Sequence, residues 1–282
     1  MLDVFQRLKV VSLDDVYVHE GVVERWVERI ADFVRHDGMM KNPIVVAEAE
    51  VDGAARYVVL DGMHRVQSMR ALGSPDILIY VSDYWSDDVR LESWDAVLLD
   101  AFDRDALLAG VPGGEILEVG SEAEARARVY ARDLAMAFAL HDGSVRGLRV
   151  AHPTEEPPLE AIIRSLRTVE DALDAAGVRA VYTPSSRSHT DFEAQPSHAL
   201  FLRPLFSKQE VLERTLAGRL FPRKSTRFLV PARPLRVDFQ LTVLKAKLDL
   251  PTKNQLLLDH LTWCWENNRV RYYPEPVYVF GD

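Results

Sequence analysis

The sequence predicts a mixed α/β (α+β) protein in two regions, an N-terminal α/β unit over residues 1–110 and a second mixed α/β region over 115–282. Three observations predict it. Short apolar runs, Ile44-Val45-Val46-Ala47 and Ile77-Leu78-Ile79-Tyr80-Val81, have the length and β-branching of buried strands. Segments with three-four apolar spacing alternate with them, as amphipathic helices do. Pro112-Gly113-Gly114 then punctuates the chain like a linker. A length of 282 residues with 48% hydrophobic content suits one large or two ordinary domains with a proper core.

Residues 8–18 read as an extended arm that ends at His19-Glu20-Gly21. Val23, Trp26, Val27, Ile30, Phe33 and Val34 follow with the spacing of one buried helix face, and Gly38 caps the far end. Glu20 thus falls at or just before a helix N-terminus, where the dipole favours a carboxylate. Lys41-Asn42-Pro43 turns the chain into the strand at 44–47. Asp52-Gly53 has hairpin-turn chemistry, and residues 57–60 are the returning strand. After Asp61-Gly62 the spacing becomes helical, with Val66, Met69 and Leu72 on one face and Gly73 as cap. Residues 77–81 close the unit as another buried strand. Residues 83–88, with Tyr84 and Trp85, have the composition of a pocket rim as much as of a loop, and 95–108 has helical spacing.

In the second region, residues 122–133 read as a helix, 134–140 as a strand, His141-Asp142-Gly143-Ser144 as a turn and 145–150 as the strand returning from it. A long amphipathic helix spans 157–176. A strand at 178–182, a polar irregular loop at 185–196, a strand at 198–202 and a helix at 208–217 follow. Residues 235–241 alternate as a half-buried strand, 253–266 form a last helix and 277–280 a terminal strand. Cys264, between Trp263 and Trp265, suits a small buried hydrophobe better than a nucleophile.

Composition narrows the function. A net charge of −9 argues against a protein that coats nucleic acid or an anionic membrane. One cysteine excludes an internal disulfide and fits a reducing compartment. No apolar run approaches the ~18 residues of a membrane span, and the first residues lack the layout of a signal peptide. A cytoplasmic protein is expected.

The chemistry-bearing residues fall in two stretches. Leu60-Asp61-Gly62-Met63-His64-Arg65 is a strand, a tight turn and a helix N-terminus, whose unpaired N–H groups and dipole can hold an anion. Asp61 can orient a metal or a hydroxyl, Gly62 lets a ligand approach the backbone, and His64 and Arg65 add donors. Phe221-Pro222-Arg223-Lys224-Ser225-Thr226-Arg227-Phe228 packs cations and hydroxyls together in a way that suits a carboxylate or phosphate. No Walker loop, GxGxxG, HExxH, CxxC or GxSxG is present. Carboxylate, helix N-terminus and Arg/Lys are the parts phosphoryl transfer requires.

Glu20 ahead of a helix, Lys41-Asn42-Pro43-Ile44, Leu60 to Arg65, Ala71-Leu72-Gly73 and Tyr80-Val81-Ser82-Asp83-Tyr84 together resemble the ParB/sulfiredoxin-like fold. Within it they most resemble the free L-serine kinases, as do Leu91-Glu92-Ser93-Trp94 and the 221–227 stretch. The resemblance implies a kinase that makes O-phospho-L-serine from ATP or ADP with Mg²⁺, for siderophore or cysteine-type biosynthesis. It implies that Glu20 receives the serine hydroxyl proton and that Asp61 positions Mg²⁺ or the attacking group. Gly62, Met63, His64, Arg65, Lys41 and Asn42 would serve the nucleotide phosphates. Trp94 would wall the amino-acid pocket, and Lys224, Ser225, Thr226 and Arg227 would bind the serine carboxylate or the phosphate. One departure is Met63, where the family often carries a second His.

Two rival readings share the fold. A sulfiredoxin needs a cysteine in the turn, where Met63-His64 offers none. A ParB-like nucleotide- or DNA-binding regulator without kinase activity calls for more arginine around the turn and a downstream helix-turn-helix. The acidic chain and its mixed α/β second region argue against both features. The partners expected are therefore L-serine and a nucleotide, with neither membrane nor nucleic acid; oligomeric state is left open.

Overall fold

The structure, a computed structural model, describes residues 3–151 and 158–273. The chain divides into two compact units, one of Met1–Tyr17, Val22–Tyr84 and Ala232–Asp282, the other of Val18–Gly21 and Trp85–Pro231. The mixed α/β class read from the sequence holds in both. The division differs from a boundary near residues 110–115 because Gly114 starts a sheet strand and the helix Leu250–Glu266 packs on the strand Leu8–Ser12.

In the first unit, β1 (Leu8–Ser12), β2 (Val16–Tyr17), β3 (Ile44–Val51), β4 (Ala54–Asp61) and β5 (Asp76–Ser82) form a sheet of order β1-β5-β3-β4-β2. β3 pairs parallel with β5 and antiparallel with β4. Apolar runs are continuous where both faces are covered, so Ile44 to Ala47 and Ile77 to Ile79 are buried without alternation. Beyond Ala47 the strand alternates as it leaves the core. It turns at Asp52 and Gly53, both at positive φ (51° and 73°), the geometry of a tight hairpin.

Two helices, α1 (Glu24–Asp37) and α2 (Met63–Ala71), pack together, and Ser68 Oγ donates to Val27 O (2.8 Å) between them. The buried face of α1 is narrower than its apolar stripe. Val27 and Ala31 are buried, whereas Trp26 and Phe33 are 42% and 49% exposed, with the Arg29 guanidinium over both rings.

The last helix, Leu250–Glu266, lies along the sheet edge. Asn254 exchanges two hydrogen bonds with the Val10 backbone (2.8 Å each), pairing an edge strand that would otherwise be open. Buried Lys253 pairs with Asp76 (2.5 Å) and donates to Leu244 O (2.7 Å). These bonds fix residues 232–273 to the N-terminal sheet. Residues 235–241 are mostly irregular; Leu235 is exposed, Arg236 and Asp238 take positive φ, and only Phe239–Gln240 forms strand. Cys264 is half-buried rather than buried, and burial pushes its thiol up, against a nucleophile. Tyr84 is buried, which removes it from any pocket rim. The strand expected at 277–280 lies outside the described residues.

The second unit holds β6 (Arg90–Glu92), β7 (Trp94–Leu98), α3 (Arg104–Ala109), β8 (Gly114–Val119), α4 (Glu122–Tyr130), β9 (Met136–Leu140), β10 (Val145–Val150) and α5 (Pro158–Ala175). It continues with β11 (Ala180–Pro184), α6 (Ser188–Glu193), β12 (Ala199–Leu202), α7 (Lys208–Leu216) and β13 (Arg227–Leu229). Six strands make an antiparallel sheet of order β11-β7-β12-β9-β10-β8. Phe138 and Phe201 stack at 4.4 Å on the face covered by Ile162, Leu166 and Val169 of α5. Val97, Ala137 and Leu200 meet Val129 and Phe192 on the other.

Two local expectations fail here. The helical spacing of 95–108 is a strand followed by a short helix, because three consecutive buried residues, Ala96, Val97 and Leu98, serve both faces of a covered sheet. The polar stretch 185–196 contains α6, anchored by buried Phe192. Among the described residues, no helix is long and apolar enough to cross a membrane.

Candidate active site

The candidate residues fall in two constellations, one in each unit. In the first unit, β4 runs into Gly62, the N-cap of α2 at φ 102°, and no side chain caps the helix. The amides of Met63, His64 and Arg65 therefore open the helix with the positive end of its dipole, a ready anion site. A Cβ on Gly62 would stand 2.7 Å from Ile44 Cγ2 and 2.9 Å from Arg65 Nη2, so both backbone angle and space demand glycine.

The side chains of this turn brace it. Arg65 donates to Asn42 O (3.1 Å), Pro43 O (2.5 Å) and Asp61 Oδ2 (2.9 Å). Arg233 also meets Asp61 Oδ2 (2.6 Å). His64 Nε2 accepts the Val23 N–H at the start of α1 (3.1 Å), so the neutral ring carries its proton on Nδ1. Asn42 Oδ1 accepts from Arg236 N (2.9 Å). Lys41 pairs with Asp37 (2.5 Å), holding that carboxyl below its usual range. Asp61 thus offers one carboxylate whose Oδ2 faces two guanidiniums. No group of three or more His, Cys, Asp or Glu residues suited to a metal occurs among the described residues. Mg²⁺ is commonly held by one or two carboxylates with phosphate oxygens and water, and a single Asp61 fits that pattern rather than an all-protein cage.

In the second unit, Glu20 is 5% exposed and sits in no helix; it bridges to Phe221, while α1 starts only at Glu24. Its donors are local backbone and hydroxyl groups, not a helix dipole. Lys224 N donates to Oε2 (2.8 Å), and Thr226 N (2.8 Å) and Thr226 Oγ1 (2.6 Å) donate to Oε1. Three of the carboxylate's four acceptor positions are filled, and the fourth is on Oε2. Buried His19 lies 2.6 Å from Thr226 Oγ1 through Nε2. The threonine's single proton goes to Glu20, so His19 Nε2–H is the donor, giving a chain His19→Thr226→Glu20.

Trp94 adjoins this cradle. Its Nε1–H donates to Thr226 O (3.0 Å), and Lys224 Nζ and the Arg227 guanidinium lie 5.0 and 5.5 Å from its ring centre. Arg227 is paired with Glu92 (2.5 Å), and Ser225 Oγ is buried without a hydrogen-bond partner. The basic stretch is therefore a structured turn. His19 and Arg203, the latter bonded to the carbonyls of Arg223 and Lys224, are members that sequence reasoning missed. His19 had one local signal, its place beside Glu20; Arg203 had none.

No protein-family model matches the chain. It is 24% identical over 237 residues to the ADP-dependent L-serine kinase SerK of Thermococcus kodakarensis, covering 82% of this chain and 90% of that protein. It is 25% identical over 251 residues to the ATP-dependent L-serine kinase of Desulfurococcus mucosus, covering 83% and 90%. Its fold matches that of a free serine kinase variant in complex with AMP, at TM-score 0.69 and 23% identity over 84% of this chain and 93% of that one. It also matches SbnI with C-terminal truncation from Staphylococcus aureus, at TM-score 0.73 and 19% identity over 94% and 100%. The chain's relatives, in sequence over most of its length and in fold, are the free L-serine kinases, the family its sequence resembles.

Proposed function

We propose that this protein transfers the terminal phosphoryl group of ATP or ADP to the hydroxyl of free L-serine, giving O-phospho-L-serine. The observation that carries the reading is Glu20, a buried carboxylate held by three donors with one acceptor position left on Oε2. In this reading Glu20 takes the hydroxyl proton as the serine oxygen bonds to the terminal phosphorus. The phosphorus–oxygen bond to the nucleotide breaks, leaving ADP or AMP.

The amides at the start of α2, with Gly62, Met63, His64 and Arg65, cradle the nucleotide phosphates, and Lys41 and Asn42 flank them. Trp94 walls the amino acid, and Lys224, Ser225, Thr226 and Arg227 form the turn that meets its carboxylate or the phosphate. Asp61 would hold Mg²⁺, which would supply positive charge against the phosphates. The relatives include both ADP- and ATP-dependent kinases, so both donors enter the test.

Phosphorus NMR of the protein with Mg²⁺, L-serine and either ATP or ADP tests the reading, with L-threonine in parallel. A phosphoserine resonance growing with one donor is expected. Silence with both nucleotides and both amino acids overturns it.

A further inference from the structure

Arg203 follows β12, is 1% exposed and touches the back of the turn that cradles Glu20. Its backbone N–H donates to Asp95 Oδ1 (3.1 Å). From Nη2 it donates to Arg223 O (2.9 Å) and to the Glu170 carboxylate; from Nη1 it donates to Lys224 O and, at 3.4 Å, to Trp94 O. Nε is buried without a hydrogen-bond partner, and the Tyr182 ring lies 5.3 Å from the guanidinium.

A trans peptide unit is planar, and its C=O and N–H point in opposite directions. The Arg223 carbonyl held by Arg203 and the Lys224 N–H that reaches Glu20 Oε2 are the two ends of one such plane. Fixing one end aims the other. The guanidinium also takes the next carbonyl, across a residue whose φ is 57°. A non-glycine residue rarely holds that conformation unless its surroundings over-determine it. A rigid guanidinium fork supplies two donors at fixed spacing for the purpose, which a lysine ammonium does not.

We infer that Arg203 is a positioning residue for the phosphoryl transfer. Through the Arg223–Lys224 peptide plane it aims the Lys224 amide at Glu20 and holds that carboxylate in its accepting geometry. The inference rests on the proposed role of Glu20.

Arg203→Lys keeps a cation beside Glu170 and removes the fork. The expected variant melts cooperatively, exchanges amide hydrogens faster across residues 221–227 by mass spectrometry, and loses about 10–100-fold in kcat with little change in nucleotide KM. A double-mutant cycle with Lys224→Gly, which adopts positive φ without strain, is expected to shrink the Arg203→Lys factor. Unchanged exchange at 221–227, or the same factor in both backgrounds, overturns the inference.

Glu170→Gln covers the case in which Arg203→Lys does not fold. It removes the ion pair and leaves the carbonyl bonds, so kcat is expected to stay near wild type. A loss as large as that expected for Arg203→Lys would assign the effect to the ion pair and overturn the inference. If the wild type phosphorylates no serine, the proposed function fails, while the exchange measurement still decides whether Arg203 holds the turn.

Discussion

Thr226 holds Glu20 twice, donating its backbone N–H (2.8 Å) and its hydroxyl (2.6 Å) to the same carboxylate oxygen across 206 residues of sequence. With Lys224 N on the other oxygen, the carboxylate cannot rotate without losing a donor. That fixed geometry is what a proton acceptor requires, because proton transfer depends on hydrogen-bond reach before anything else.

Glu20→Ala is therefore expected to abolish turnover with the fold intact. Thr226→Val, close in shape, removes the hydroxyl that donates to Glu20 and that accepts from His19 in a buried site. It should lower kcat by about 10–100-fold, as loss of a preorganised donor does, and stability by about 1–3 kcal/mol. Steady-state kinetics with denaturant melts check both; normal turnover in Glu20→Ala would remove Glu20 as the acceptor.

Asp61→Asn takes away the negative charge that Arg65 and Arg233 share. The expected result is a fall in kcat and a rise of roughly tenfold in the Mg²⁺ needed for half-maximal rate, comparable to losing a charged ligand contact. Chelation of Mg²⁺ should stop the reaction and re-addition restore it. A normal Mg²⁺ titration in the variant would move the metal contact elsewhere.

Gly62→Ala forces a Cβ to within 2.7 Å of Ile44 and 2.9 Å of Arg65 at a φ of 102°. Both strain and overlap oppose it, at about 1–3 kcal/mol. Urea titration should show a lower midpoint, and nucleotide KM should rise because Arg65 is displaced. A variant as stable as wild type would mean the turn relaxes freely.

Arg179 donates to both oxygens of Asp100 and, with its own backbone N–H, holds that carboxyl down at about 2. A carboxyl depressed in the folded state contributes stability above its ordinary value of 3.8, lost as pH falls toward 2. Asp100→Asn should thus lower Tm slightly at pH 7, and the gap to wild type should narrow as pH falls below 3.8 and close only below the folded value of about 2. A gap that persists in acid would show that the pair contributes through shape rather than charge.

The sequence by itself determined the first unit closely. Continuous apolar runs marked β3 and β5, Asp52-Gly53 marked the hairpin, and Asp61-Gly62 before a helical stripe marked the turn into α2. These signals are local: each depends on periodicity, β-branching or a turn residue within a few positions. Glu20, Trp94 and Thr226 were legible as candidates through family resemblance.

Only the tertiary structure decided what surrounds them. It took Glu20 from an expected helix start to a bridge with Phe221 and exchanged a dipole for three specific donors. It returned residues 232–273 to the N-terminal sheet through Asn254 and Lys253, and it set Arg203 behind the turn that cradles Glu20. Each is a pairing of polar groups far apart in the chain. Such pairings leave no period in the sequence, because a donor's partner is chosen by where the fold brings two backbones together.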